Sequence, residues 1–225
     1  MMTMMAREKE APPGEVDPER LLVKLNSHEP LEEGELESVA EALRLTLNQT
    51  QGRRLSLDDV YSYVLVIGRA RAEQYRDLLE AQLEQKDTFT AALILEILCL
   101  EWGRTEEYLE RVLHFALGVA WDDEQDVQNT ALKILGEYLH AAMRKEKDRR
   151  LSLRTREVLM LLLSVFDDES VEHWSRQNAY VALLRASGAE LEDLPSECAW
   201  LSLESDSEDI DWECLKGLRR RAESG

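Results

Sequence analysis

The sequence predicts an all-α protein, and three observations carry that prediction. Ten glycines and five prolines are few for 225 residues. The apolar residues, 44% of the chain, are mostly Leu, Ala and Val in long unbroken patterns. Those patterns repeat every three or four positions, the spacing of one helix face, and not every second position as in a half-buried strand. A chain of this length buries a substantial core, as one domain or as one domain with a tail.

The elements follow in order. Residues 1–16 are polar and carry Pro12, Pro13 and Gly14, which predicts a flexible tail. Helical pattern starts at DPERLLVKL, where Asp17 suits an N-cap and Pro18 the first turn. ELESVAEALRLTL from Glu35 and LDDVYSYVLVIG from Leu57 make a first helix pair. Tyr75, Leu78, Leu79 and Leu83 mark a helix that leads into DTFTAALILEIL from Asp87. Tyr108, Leu109, Val112, Leu113 and Leu117 mark another, leading into DVQNTALKILGEYL from Asp126. Val158 to Phe166 leads in the same way into HWSRQNAYVALL from His173.

The second helices of these pairs overlay. With Ala92, Ala131 and Ala179 in register, each alanine is followed at once by an apolar residue, Leu93, Leu132 or Tyr180, and by more three and four places on. The alanines are spaced 39 and then 48 residues apart. In a fourth, degenerate copy, Val60 and Val64 stand as Val127 and Ala131 do. Helix pairs repeating at this period are the mark of an α-solenoid, where each pair buries its apolar face by stacking on its neighbours. The aspartate, valine, alanine, leucine order of DVQNTALKIL, with its partial copies, resembles the HEAT-repeat family over about residues 34 to 187. The copies at Ala92 and Ala179 lack the valine, so armadillo-like and other helical-hairpin repeats stay open. The resemblance implies a right-handed α-α superhelix of about four helical hairpins. Residues 17–188 would form that repeat domain, and residues 189–225 an acidic segment that is either a capping helix or a partly disordered tail.

Acids gather at the corners between helices. Asp122, Asp123 and Glu124 precede Asp126; Asp58 and Asp59 precede Val60; Asp87 opens its helix; Asp167, Asp168 and Glu169 lie between the last pair. Four such corners point to a shared cause, namely helix N-termini that favour carboxylates through orphan amides and the helix dipole. The rival is a divalent cation held by Asp122, Glu124 and Asp126, but the glycine turn and closing bidentate acid of a calcium loop are absent. No metal is therefore expected. Single glycines at Gly68, Gly103, Gly118, Gly136 and Gly188 read as helix terminators.

Charge limits the partners. With 46 acids against 27 bases the net charge is −19, a field that repels nucleic-acid backbones and anionic membranes and attracts a basic protein. Ten acids and no base fall in residues 189–215, interleaved with Trp200, Leu201, Leu203, Ile210 and Trp212. One reading is a helix that caps the repeats with its acids solvated; the other is an acidic segment docking on a basic groove with the tryptophans as anchors. Seven bases between Ala142 and Arg156 form one basic island, which suits the C-terminal dipole of the preceding helix or a contact with the acidic tail.

Motifs for chemistry are missing. Among His28, His114, His140 and His173 none has a second ligand at metal spacing, and HExxH, GxSxG and glycine-rich phosphate loops are absent. Cys99, Cys198 and Cys214 form no CxxC pair, and Cys99 in AALILEILCL reads as buried and inert. Few cysteines, and no apolar run of signal-peptide length at the N-terminus, point to a reducing cytoplasm. No apolar run approaches the roughly 20 residues of a membrane span.

The expected function is a non-catalytic, acidic scaffold or adaptor without cofactor that binds a basic protein, in its concrete form an immunity-type inhibitor covering the cationic face of a nuclease toxin. Its binding residues are expected at Asp122, Asp123, Glu124, Asp167, Asp168, Trp200, Asp209, Asp211 and Trp212. Gln128, Lys133, Glu137, Arg176 and Gln177 are polar candidates for the inner surface. The alternative implied by the family is a HEAT-like enzyme, a DNA glycosylase or a bilin lyase; the glycosylase would need a basic concave face. Oligomeric state and the partner's identity stay open.

Overall fold

A computed structural model describes residues 16–32, 34–47, 57–146, 150–196, 199–204 and 207–224. Residues 1–15 of the expected N-terminal tail and the middle of the basic island lie outside them. Among the described residues the protein is all-α, with ten α-helices. They fall into two compact units divided between Gln85 and Lys86. No helix there is long and apolar enough to cross a membrane.

The first unit holds α1 (Pro18–Asn26), α2 (Glu35–Leu47), α3 (Leu57–Arg69) and α4 (Arg76–Leu83). Asp17 caps α1 as its sequence suggests, accepting from the amides of Glu19 and Arg20, with Pro18 in the first turn. Helices α1 and α2 both pack on α3, and α4 packs on α2. Leu21, Leu43, Ile67 and Leu79 are fully buried at these contacts. Polar ties fix the register: the Tyr63 hydroxyl donates to the Val16 carbonyl at 2.9 Å, and Tyr75 to Glu37 at 2.6 Å. Asp59 lies inside the first turn of α3 and not ahead of it.

The second unit holds α5 (Thr88–Leu95), α6 (Thr105–Ala116), α7 (Asp126–Lys145), α8 (Leu153–Asp167), α9 (His173–Ser187) and α10 (Trp212–Glu223). Asp87 caps α5 through the Thr90 amide at 2.9 Å. From Glu96 to Glu101 α5 continues as a π-helical turn, and Gly103, with φ +69°, ends it in the left-handed region. Helix α7 is the hub. It packs on α5, α6, α8 and α9, so almost every apolar side it offers is covered. Leu132, Ile134, Leu135 and Leu139 are fully buried on it, each contributing about 1.5–3 kcal/mol relative to an exposed position. Helix α8 packs on α9, and α10 closes over both.

Two details depart from the sequence reading. Gly136 does not end a helix: it sits within α7, where a side chain would collide with α9. Ala131 and Ala179 are fully buried, whereas Ala92 is half-exposed and its neighbour Ala91 is buried. The alanine register thus joins α7 to α9 and slips by one residue on α5, where Ala91 is the buried alanine.

Candidate functional site

At the corner between α6 and α7 the chain makes a tight turn with Gln125 in the left-handed region, φ +61°. Asp122, buried, points back at the helix: its carboxylate accepts from the amides of Val127 at 3.3 Å and Gln128 at 2.9 Å. The capping acid is therefore Asp122 and not Asp126, whose Oδ2 is shut off from solvent without a partner among the described residues. Burial, with Asp122 and Glu124 nearby, pushes the Asp126 carboxyl above its ordinary range. Asp123 and Glu124 face solvent. No three acids, histidines or cysteines converge at metal-binding distance among the described residues.

Gln128 and Gln177, expected on an open inner surface, are buried clamps. The Gln128 amide donates to the Ala116 carbonyl at the end of α6, and its oxygen lies 2.9 Å from the Ser175 hydroxyl of α9. Gln177 holds the irregular segment 199–204 as a neighbouring strand would: its Nε2 donates to the Ala199 carbonyl at 2.6 Å, and its Oε1 accepts from the Leu201 amide at 3.0 Å. Lys133 pairs with Glu96 at 3.0 Å, and Glu137 with Arg185 at 2.8 Å. Arg185 also donates to the Ala189 carbonyl, tying α9 to the chain that follows.

That clamp builds a cleft of about 720 Å³ where the end of α8, the start of α9, segment 199–204 and the start of α10 meet. Phe166, Asp167, His173, Trp200, Glu204 and Trp212 are among its walls. Trp200 is 70% exposed, far more than an indole normally is, yet it is held in place. Its ring stacks on His173 at 3.9 Å and 10°, with Trp174 beyond at 6.3 Å. Trp212 is half-buried, 6.2 Å from the Phe166 ring, and its indole N–H donates to the Ser207 carbonyl at 3.2 Å.

The acids around this cleft differ in what they do. Asp167 ends α8 and takes an ion pair from Arg219 of α10 at 2.6 Å. Asp168 makes a local turn with Ser170, whose hydroxyl and amide both donate to it and hold its carboxyl below the ordinary range. Neither caps α9; Glu172 does, through the Trp174 amide. Asp209 accepts from the Ser202 amide at 2.8 Å, and Asp211 caps α10 at the Cys214 amide. Glu169 and Glu204 make no side-chain hydrogen bond or ion pair among the described residues. Among the described residues the one base in the wall is Arg176, whose Nε donates to the Phe166 carbonyl at 2.9 Å.

Of the residues expected to bind, the cleft brings together Asp167, Trp200 and Trp212, with Asp168, Asp209 and Asp211 close by in the chain. Asp122, Asp123 and Glu124 belong to another corner. Phe166, Glu169, His173, Arg176, Ser202, Leu203 and Glu204 make up the rest of the wall. Of these, Glu169 as a corner acid, Arg176 as a polar candidate on its helix and Leu203 in the acidic segment carry a signal in the sequence. Compared with protein-family models, curated proteins and solved structures, the chain matches none.

Proposed function

We propose that this chain is a non-catalytic helical-repeat scaffold of HEAT-like hairpins that binds a basic protein partner. The observation that carries the reading is the cleft: an ordered, solvent-facing Trp200 set among Asp167, Glu169 and Glu204. A large exposed aromatic ringed by polar groups is the usual anchor of a protein interface. The repeat reading is supported by two consecutive hairpins, α6–α7 and α8–α9, whose second helices pack side by side, with α10 covering the last pair. Its concrete form is an immunity-type inhibitor that presents carboxylates where a nuclease would hold phosphates, in a chain of net charge −19.

A glycosylase reading is disfavoured, because three carboxylates in the cleft wall would repel a phosphate backbone and Arg176 is drawn to a carbonyl. The test is capture from the source cell at low salt, with every retained molecule identified and release followed as salt rises. A basic protein released by salt supports the scaffold reading. Nucleic acid or a pigment retained in its place overturns it.

A further inference from the structure

The groups left unpaired around the cleft narrow what it recognises. Glu169 and Glu204 offer carboxylate oxygens with no partner among the described residues. Both are acceptors, so the matching ligand supplies donors. Trp200 offers an indole 70% open to solvent, steadied from behind by its stack on His173, and an indole face attracts a flat cation. The chain supplies a precedent at the rim, where the Arg219 guanidinium meets Asp167 at 2.6 Å.

An arginine side chain meets these demands together. It carries five N–H donors and no acceptor, is planar, stacks on aromatic rings and sheds water more readily than an ammonium. Lysine has the charge without the plane or the fork. We propose that the cleft between α8, α9 and segment 199–204 is a recognition site for an arginine side chain on an exposed basic segment of the partner protein. The proposal rests on the scaffold reading above and specifies where, and by what chemistry, it is carried out.

The probe is a capped hexapeptide of alternating arginine and glycine, compared with its lysine counterpart in low salt. The readout is the indole N–H resonance of Trp200 in the full chain, assigned with Trp200→Phe. The expected result is saturable movement of that resonance, with the arginine peptide bound several-fold more tightly than the lysine peptide. Trp200→Ala, at an exposed site that leaves the fold intact by circular dichroism, should weaken binding about tenfold, the loss of about 1.4 kcal/mol. Glu169→Gln with Glu204→Gln should weaken it comparably. Equal binding of the two peptides, or undiminished binding to Trp200→Ala, overturns the proposal. A salt-released basic partner that binds Trp200→Ala as tightly as the parent also overturns it, while leaving the scaffold reading standing. Arginine binding in the cleft, with no basic protein captured from cells, supports the site and counts against the scaffold reading.

Discussion

Gly136 on α7 and Ala182 on α9 meet without room for a side chain between them. A Cβ placed on Gly136 would lie 2.9 Å from both the Cα and the Cβ of Ala182, and 3.3 Å from its carbonyl oxygen. The two helices therefore approach through this pair, and α7 accepts a glycine in its interior despite the entropic cost of about 0.5–1 kcal/mol.

Gly136→Ala sets those effects against each other. Helix propensity favours the alanine by at most about 1 kcal/mol, but the obstacle is backbone, which cannot swing aside, and overpacking costs about 1–3 kcal/mol. The expected outcome is a net loss near 1 kcal/mol and a thermal midpoint lower by about 2–4 °C. An unchanged or raised midpoint would show that α7 and α9 are not so closely apposed.

Gln177→Ala removes both bonds that hold segment 199–204 against α9. Two hydrogen bonds of about 0.5–1.5 kcal/mol each are lost, and the Ala199 carbonyl and Leu201 amide are released. Limited proteolysis should then cut near Trp200 in the variant while sparing the parent. Equal resistance would mean that the segment is fixed by other contacts.

Asp126→Asn tests the crowded corner. Burial and two neighbouring carboxylates raise the Asp126 pKa above its ordinary value of 3.8 in the folded protein. The folded state then holds that proton more tightly than the unfolded chain, so stability falls as pH climbs through the interval above 3.8. Below that value the cost is absent. The variant should melt at a higher temperature than the parent at neutral pH, with the difference shrinking as pH falls toward 4. A variant less stable than the parent at neutral pH would contradict this account.

Cys99, buried in the π-helical turn after α5, has its thiol pushed up to about 12 by burial. Thiolate is the reactive form, so Cys99 should escape iodoacetamide at pH 8 in the native protein and react only in urea. Peptide mapping of the alkylated protein decides between the two.

How much of this was legible in advance follows from the range of the interactions involved. The caps at Asp17 and Asp87 depend on residues two and three positions away, and they stand in the sequence. Helix existence was legible for the same reason, since periodicity is local. Gly136 was not, because its meaning lies on α9; read alone, a glycine is a helix stop. Asp122 and Asp126 exchanged roles because a left-handed turn at Gln125, which no nearby glycine announces, folds the corner back on itself. In the candidate site, Trp200 and Trp212 stood out by residue type, but the contact between His173 and Trp200 did not. It depends on an irregular segment without periodicity, positioned by the buried amide of Gln177.

Amide hydrogen exchange of the full chain, with and without the basic protein that salt releases from it, tests the cleft most directly. The expected result is slowed exchange across residues 166–176 and 199–204, around the cleft, that disappears when salt is raised. Protection confined to α1–α4, with the cleft exchanging as in the free protein, would contradict the assignment of this surface to the partner.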